Sequence, residues 1–474
     1  MDTANTRDVF VVGAGPTGLT LGIDLARQGV DALVVERGEH LFPGSRGKGI
    51  QPRTQEVFDD LGVLDAIRAA GGRYPNRMIW KNGERIGEQP MFETLDADDG
   101  TPCTEPLMIP QWRTQEVLYA RLTRLGGEVA FGREVTALTQ DGQGVTARFA
   151  DGTAVRARYV VAADGGRSAV RQALGVGMAG ETVDPAPFVV ADLRLRGLDR
   201  DHWHAFPGDD GSVLGLCPLA GTEDFQLAAR LPEGTRPDLS PDGIRELVAQ
   251  YTHLGAADVT EVRWASGFRP RAALADRFRV GRVFLAGDAA HVHSPAGAQG
   301  LNTSVQDAYN LGWKLGAVLR EEAPEALLDT YEEERRANAV AMLELSTGVH
   351  RGEVRRGKAT VQLGVGYRES SLSVDTRPEA EGLRAGDRAP DGTVAGVRLF
   401  DAFRGPHWTL LGATLPGLPS LPAPPRSYGP GVFLVRPDGY VGWAGDTTEG
   451  LRAYAERTGA VIAPRGGNRV KRTP

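Results

Sequence analysis

The sequence predicts an α/β protein: a Rossmann-like parallel sheet, interrupted by an inserted β-sheet domain and followed by a small C-terminal α/β domain. Three observations lead there. Residues 8 to 36 read as strand, glycine-rich turn, helix and strand; the middle of the chain runs in short alternating strands split by Asp-Gly and Gln-Gly turns; and GRVFLAGDAAH (281–291) returns to strand-turn-helix order. A chain of 474 residues is too long for one ordinary core. The expected boundaries are 1–174 and 276–384 for the two parts of the parallel-sheet domain, the second including a helical linker, with 175–275 for the inserted sheet and 385–474 for the C-terminal domain.

Each element has its own reason. VFVVGAG is a continuous apolar run, as a parallel strand covered on both faces requires. In TGLTLGIDLARQG, Leu21, Leu25 and Ala26 recur at helical spacing and Gly29 supplies the stop, after which ALVVER forms the second strand. Residues 74–110 carry short strands with Asn-Gly and Asp-Gly turn signals. From EVAFG to YVVAA, alternating strands suggest a small antiparallel sheet laid over the parallel one. Between 175 and 275 the chain turns polar and aromatic, with Trp203, Phe206, Phe225 and Phe268 among the rings. Ala308, Leu311, Gly312, Leu315, Val318 and Leu319 share one helical face, 325–348 reads as another helix, and the charged stretch 350–384 reads as a linker. WTLLGA, GVFLVRPDGYVGWAG and LRAYAERTG then alternate strand and helix around a Pro-rich interruption.

The formal charge, 54 basic minus 61 acidic residues or −7, comes without a long single-sign run, which argues against a nucleic-acid footprint. No signal-peptide pattern opens the chain and no apolar run approaches the ~20 residues of a membrane span, so a soluble, cytoplasmic protein is expected. Cys103 and Cys217 form no CxxC pair, which leaves no disulfide framework and no Cys-rich zinc site.

The motifs narrow the chemistry. In GAGPTG, Gly13 permits a sharp exit from the strand, Gly15 lets backbone approach a pyrophosphate, and Gly18 lets helix and strand pack; the helix N-terminus supplies unpaired amides and positive dipole to the phosphates. Glu36 ends the second strand about 20 residues on, where a carboxylate accepts from ribose hydroxyls. GVGMAG (Gly175, Gly177, Gly180) also satisfies GxGxxG but follows a helix rather than an apolar strand, so it is assigned no nucleotide. In FLAGDAAHVHSPAGAQGLN, Asp288 follows an apolar strand and can accept from a ribityl chain or else cap a helix. Gly300, Leu301 and Asn302 precede a helix, so their amides and the helix dipole can stabilise negative charge on a reduced flavin ring. Together these segments point to FAD gripped along its length. His291 and His293 lack a completing ligand set, so no metal is expected. Arg46, Lys48 and Arg53, in the Gly-rich loop SRGKGIQPR, can face phosphates or simply be solvated.

The order GxGxxG, DGxxSxVR, then GDAAH with Pro-x-Gly-x-Gly-x-Asn resembles the group A FAD-dependent aromatic hydroxylases, over roughly residues 8 to 350. Within that group it looks most like hydroxylases of aromatic polyketide pathways and rifampicin monooxygenase-type enzymes. The resemblance implies a Rossmann-like FAD-binding domain, an inserted β-sheet substrate domain and a C-terminal thioredoxin-like domain, here without cysteine. Carried over by motif, Gly13, Gly15, Pro16, Thr17, Gly18, Glu36 and Arg37 would hold the ADP half of FAD, and Arg46 would contact the cofactor. Gln111, in PQWRTQEVL, would reach the ribityl or phosphate region, and Asp164 and Gly165 would serve the FAD and NADPH region. Gly287 and Asp288 would bind the ribityl chain, with Pro295 and Gly300 to Asn302 along the isoalloxazine.

The implied reaction uses NADPH or NADH to reduce FAD, then O2 to form a flavin C4a-hydroperoxide that hydroxylates a large phenolic, polyketide-like substrate. The family's tyrosine network for deprotonating small phenols is not located, so no catalytic base is assigned. Baeyer-Villiger oxidation or antibiotic inactivation by the same cofactor chemistry stays open, as does a non-catalytic module that binds flavin and an intermediate. A flavin halogenase is disfavoured, because no WxW pair is present.

Overall fold

A computed structural model describes residues 6–93, 96, 98–320, 322–378 and 382–460. Its first sheet grows from strand β1 (Thr6–Val12), helix α1 (Pro16–Ala26) and strand β2 (Ala32–Val35). Four residues of β1, Val9 to Val12, are buried, since parallel strands with both faces covered must be apolar throughout. β1 pairs in parallel with β2 (Val12 opposite Val35) and with strand Ala154–Ala162 (Val12 opposite Ala162); Val283–Leu285 and Glu128–Ala130 extend the parallel set on either side. Gly29, at φ +72°, ends α1 and turns the chain into β2.

The strands Val135–Gln140 and Val145–Phe149 do not lie over this sheet as the sequence suggested. They extend it in plane: Val145–Phe149 pairs antiparallel with the first half of Ala154–Ala162, whose last three residues pair on the same edge with Val283–Leu285. One nine-residue strand is long enough to serve a hairpin first and a parallel neighbour second.

A second sheet has seven strands in the order Val259–Phe268, Phe188–Leu195, Phe225–Arg230, Val213–Pro218, His202–Pro207, Asn76–Lys81, Glu84–Gln89. Its last two strands come from outside residues 175–275; Asn82 and Gly83, at φ 51° and 79°, make the tight hairpin turn between them. The sheet's core gathers Trp80, Leu193, Leu214, Phe206, Phe225 and Leu227 with the helix residues Ile244 and Val248. Phe206 and Phe225 are therefore core, while Phe268 is exposed, its ring beside Phe188.

Contacts divide the chain into two compact units. The first comprises residues 1–96, 103–309 and 335–363; the second comprises 97–102, 310–334 and 364–474. The stretch 350–363, expected to be linker, belongs to the first unit. Its Thr360 and Gln362 bond to Gln299, Thr303 and Gln306 through buried side-chain amides, a polar packing that leaves no apolar periodicity to read. The second unit holds a five-stranded sheet, Val374–Asp375, Val441–Gly445, Val432–Val435, Thr409–Leu411 and Ser420–Leu421, with short helices Leu399–Phe403 and Leu451–Thr458. Inside it Arg436 is wholly buried between Glu334 and Asp438, and Lys314 joins the same Glu334 at 2.7 Å. No helix among the described residues is long and apolar enough to cross a membrane.

Candidate active site

The first phosphate-type turn is built by close approach. A Cβ on Gly18 would lie 1.9 Å from the Gly13 carbonyl oxygen, and one on Gly13 would lie 2.4 Å from the Ala163 carbonyl. Gly13 also sits at φ +108°, where side-chain-bearing residues are strained. Gly15 differs: it is extended, and nothing lies within 4 Å of where its Cβ would be. The N–H groups of Thr17 and Gly18 in the first turn of α1, after Pro16, which has none, lie beside a backbone that carries no side chain. Glu36 closes the turn by accepting from the Ala14 amide (3.1 Å) and from Gly38 (3.0 Å), and stays half-exposed beside exposed Arg37.

The three distant motifs meet here. The Gly13 turn packs on Ala163 and Asp164 of the middle motif, and a Cβ on Gly287 of the late motif would lie 2.7 Å from Thr17 Oγ1. Arg171, which the sequence left without a role, ties middle to late: it is buried and donates to the Ala289 carbonyl (3.0 Å) and to Gly166 (3.1 Å). Asp164 accepts from the Val170 amide with one oxygen, while its other oxygen is buried with no hydrogen bond. Burial pushes its pKa up, against the pull of Ser168. Gly165, at φ +83°, again faces open space.

Asp288 lies within a one-turn helix, Gly287–Ala289, whose N-cap is Ala286, so its carboxylate caps nothing. It is surrounded by protein yet keeps an exposed carboxylate, the signature of a side chain lining a deep cleft. Burial raises its pKa, and the positive sides of His291 and Arg46 oppose that rise. Arg46 is exposed, with its guanidinium 4.8 Å over the Phe42 ring.

Beneath the Gly287 turn is a buried polar network invisible in the motif. Asp307 accepts from the Gly287 amide (2.9 Å), bonds His291 Nε2 (2.5 Å) and accepts from Arg335 Nε (2.7 Å). Burial would raise the Asp307 pKa, but His291 and Arg335 outweigh it and hold the carboxyl at about 2. His291 is thus committed to Asp307, and among the described residues no group of three His, Cys, Asp or Glu side chains is placed to hold a metal.

The Gly300–Leu319 helix begins at the far end of the late motif. Pro295 is exposed, Gly300 and Leu301 are half-buried, and buried Asn302 clamps the basic loop's strand, accepting from the Gln51 amide (2.8 Å) and donating to the Gly49 carbonyl (2.8 Å). Gln111 accepts from the Gly47 amide (3.1 Å), and a Cβ on Gly47 would touch Leu301 at 3.4 Å. The loop's other cations are not solvated: Arg53 pairs with Glu56 at 2.8 Å, and buried Lys48 bonds Gln226 Oε1 and lies 4.1 Å over the Trp203 ring. Burial lowers the Lys48 pKa.

In GVGMAG, Gly180 lies in strand Met178–Thr182, where a Cβ would stand 2.1 Å from the Ala272 carbonyl, and Gly177 sits against Asp276. These glycines serve strand packing.

A cleft with open, side-chain-free turns at Gly15 and Gly165, free first-turn amides and accessible carboxylates suits a long, phosphate- and hydroxyl-bearing cofactor. Such a fold and site define a flavoprotein. A family profile described as FAD binding domain matches residues 6–346, and the chain belongs to that family. It is 44% identical over 473 residues (95% of this chain, 99% of the relative) to a flavin-dependent monooxygenase of Mycobacteroides abscessus. It is 36% identical to rifampicin monooxygenase of Rhodococcus hoagii, covering 71% of this chain and 69% of the relative. Among solved structures it is similar to aklavinone-11 hydroxylase in complex with FAD and aklavinone (TM-score 0.82, 30% identity, 97% and 100% coverage). It is likewise similar to the anhydrotetracycline hydroxylase OxyS of Streptomyces rimosus (TM-score 0.79, 31% identity, 97% and 100% coverage). The protein is an FAD-dependent monooxygenase with the mixed α/β fold of those enzymes.

Proposed function

We propose that this monooxygenase hydroxylates a large, polycyclic phenolic compound of the polyketide type, with NADPH or NADH as reductant and O2 as oxidant. The observation that carries the reading is the juxtaposition of the late motif with an aromatic wall. A Cβ on Gly49 would lie 2.6 Å from Tyr74 Oη and 3.1 Å from the Ala298 methyl, so Tyr74 borders the 295–302 turn, and its ring neighbours Phe92 (5.1 Å) and Trp203 (6.5 Å). The named activities of relatives on tetracycline and rifampicin scaffolds support the same substrate class.

On this reading Gly13 to Gly18, Glu36 and Arg37 hold the adenosine and pyrophosphate portion, and Asp164, Gly165, Gln111 and Arg46 flank the middle. Gly287 and Asp288 bind the ribityl hydroxyls, and Pro295 with the Gly300 to Asn302 amides line the ring. Bound flavin supplies two-electron reduction and activation of oxygen. The chain itself presents the aromatic ring, excludes water and keeps Asp288 as an acceptor. The domain divisions at 174, 275 and 384 are offered as functional segments within this scheme. The C-terminal segment is read as thioredoxin-like and, without cysteine, as having no thiol chemistry.

The test is NADPH and oxygen consumption by purified holoprotein against a panel of hydroxylated anthraquinones and tetracyclines, with products identified by mass. Ligand-stimulated consumption and a gain of one oxygen atom are expected. Flavin-loaded protein whose reduction no phenolic ligand accelerates would end the proposal.

A further inference from the structure

Tyr74, Lys48 and Arg356 form a cluster that the cofactor reading does not use. We propose that these three side chains make an anion subsite, so that the enzyme takes its aromatic substrate as an oxyanion, a ring-borne carboxylate or an ionised acidic hydroxyl. The inference rests on the substrate pocket proposed above.

The cluster is rich in donors and poor in acceptors. Among the described residues the Lys48 ammonium donates to a neutral amide oxygen, on Gln226, and lies over the Trp203 face, with no carboxylate in hydrogen-bond contact. Gln226 has no further freedom, since its Nε2 donates to the Ser45 carbonyl. Arg356 is half-buried and crowded by protein, and among the described residues its guanidinium makes no ion pair and no side-chain hydrogen bond; only its backbone carbonyl is used, accepting from the Glu93 amide at 3.3 Å. The exposed Glu93 carboxylate packs near Gly357 without pairing to Arg356. The Tyr74 hydroxyl has no hydrogen-bond partner among the described residues, and burial raises its pKa, so it remains a protonated donor. Lysine and arginine offer no acceptor atoms at all.

Charge counting gives the same answer. Arg356 lies within electrostatic reach of both Lys48 and Tyr74, and Lys48 and Tyr74 both neighbour the Trp203 ring. The other groups that reach them are Arg77, which adds positive charge, Cys217, whose thiol burial pushes up to about 11 and so keeps neutral, and Asp192. Asp192 faces Lys48 alone of the two cations and can balance one charge; among the described residues no carboxylate interacts with the second cation. Two desolvated cations with one counter-charge are held at a cost that a bound oxyanion removes. Because Tyr74 also borders Gly49 and the 295–302 turn, the anion would be anchored at the rim where the ring to be oxidised must lie.

The probes are 1-hydroxyanthraquinone-2-carboxylate, its methyl ester, and an acidic polyhydroxyanthraquinone, each titrated into holoenzyme and followed by perturbation of the flavin absorbance. The carboxylate or the acidic phenol is expected to bind about tenfold or more tighter than the ester. Whichever of the two gains more identifies the oxyanion's source. Arg356→Gln and Lys48→Gln are expected to erase that preference, with Arg356→Lys restoring part of it; flavin content and melting temperature verify folding. Equal affinity of ester and acids in the native enzyme would overturn the subsite, and this readout needs no variant to fold. The outcomes separate cleanly: an ester that binds equally and stimulates NADPH oxidation sinks the subsite but leaves the hydroxylase, whereas anion-selective binding without any turnover keeps the subsite and sinks the hydroxylase.

Discussion

Replacing Gly15 and Gly18 separately by alanine divides two roles that the GxGxxG pattern merges. Gly15 is extended at φ −72°, a conformation alanine adopts freely, and its new methyl would meet nothing within 4 Å. The folded apoprotein should therefore lose nothing, and a stiffer unfolded chain should stabilise it by about 0.5 kcal/mol. The methyl would however stand where the pyrophosphate must approach, and excluding that contact should weaken FAD binding about tenfold to a hundredfold, or ~1.4–2.7 kcal/mol. Gly18→Ala is the reverse case. Its Cβ would fall 1.9 Å from the Gly13 carbonyl oxygen, with the Val11 side chain 3.4 Å away, so β1 and α1 must separate. A backbone clash in a close-packed core costs about 1–3 kcal/mol or more before any ligand is added. The assay is thermal unfolding of the apoproteins alongside FAD titration by flavin fluorescence quenching. Native-like FAD affinity in Gly15→Ala would refute phosphate placement on this turn, and a native melting temperature in Gly18→Ala would refute the packing argument.

Other consequences follow from the buried charges. Asp307, held at about 2 against an ordinary 3.8, contributes about 2 kcal/mol of stability above pH 4 that is lost as pH falls through 2. Asp307→Asn should flatten that acid limb and, by leaving Arg335 buried without its carboxylate, cost about 3–5 kcal/mol at neutral pH in denaturant titration; a loss under 1 kcal/mol would contradict the network. Asp192 has the opposite sign: with its pKa raised to about 6, the native state binds the extra proton, so its contribution falls as pH rises from about 4 through 6. Asp192→Asn should gain up to about 3 kcal/mol on the native protein at pH 8 and almost nothing at pH 4, and a pH-independent difference would count against it. Gly180→Ala, aimed at the Ala272 carbonyl, should lower the melting temperature while leaving FAD affinity of the refolded protein unchanged; weakened FAD binding would mean that the second glycine motif serves the cofactor after all.

What could be read from the chain is what local rules determine. The unit β1, α1, β2 is legible because an apolar strand, a turn with three glycines and a capped helix are each specified within a few residues. The apolar strand before Asp288 and the helical face from Ala308 to Leu319 were legible for the same reason. Long-range partners were not. The pairing of Asn76–Lys81 with His202–Pro207 joins strands over 120 residues apart by backbone bonds that carry no side-chain signature. Arg171 reaches Ala289 through a carbonyl, which any residue possesses, and Arg335 lies 28 positions from Asp307 on another helix. Lys48 looked like one of three loop cations; only the fold shows that the 42–48 loop packs on the second sheet, where Trp264 would meet a Cβ on Gly44 at 2.3 Å. The 356–362 stretch was read as linker because its order comes from glutamine amides rather than from apolar spacing.

On the proposed reading, the cleft changes its chemical character along its length in the sequence the reaction needs. Near the Gly13 turn, free amides suit phosphate oxygens while Glu36 suits hydroxyls. Farther on, Asp288 offers an acceptor, and Asp307, bonded to the Gly287 amide, holds the turn that carries Asp288. At the Gly300 helix start the polarity reverses to donors, and Tyr74, Lys48 and Arg356 continue it. A donor-rich end stabilises negative charge on a reduced ring and on an ionised substrate alike, and both charges raise the electron density on which oxygen transfer to an aromatic carbon depends. Two anions side by side would repel in an apolar pocket; the excess of cations over carboxylates at that end is what allows them to coexist. Asp192, which faces Lys48, does not share in that excess: desolvation outweighs the single cation beside it and leaves its pKa raised, so it cannot by itself neutralise the cluster.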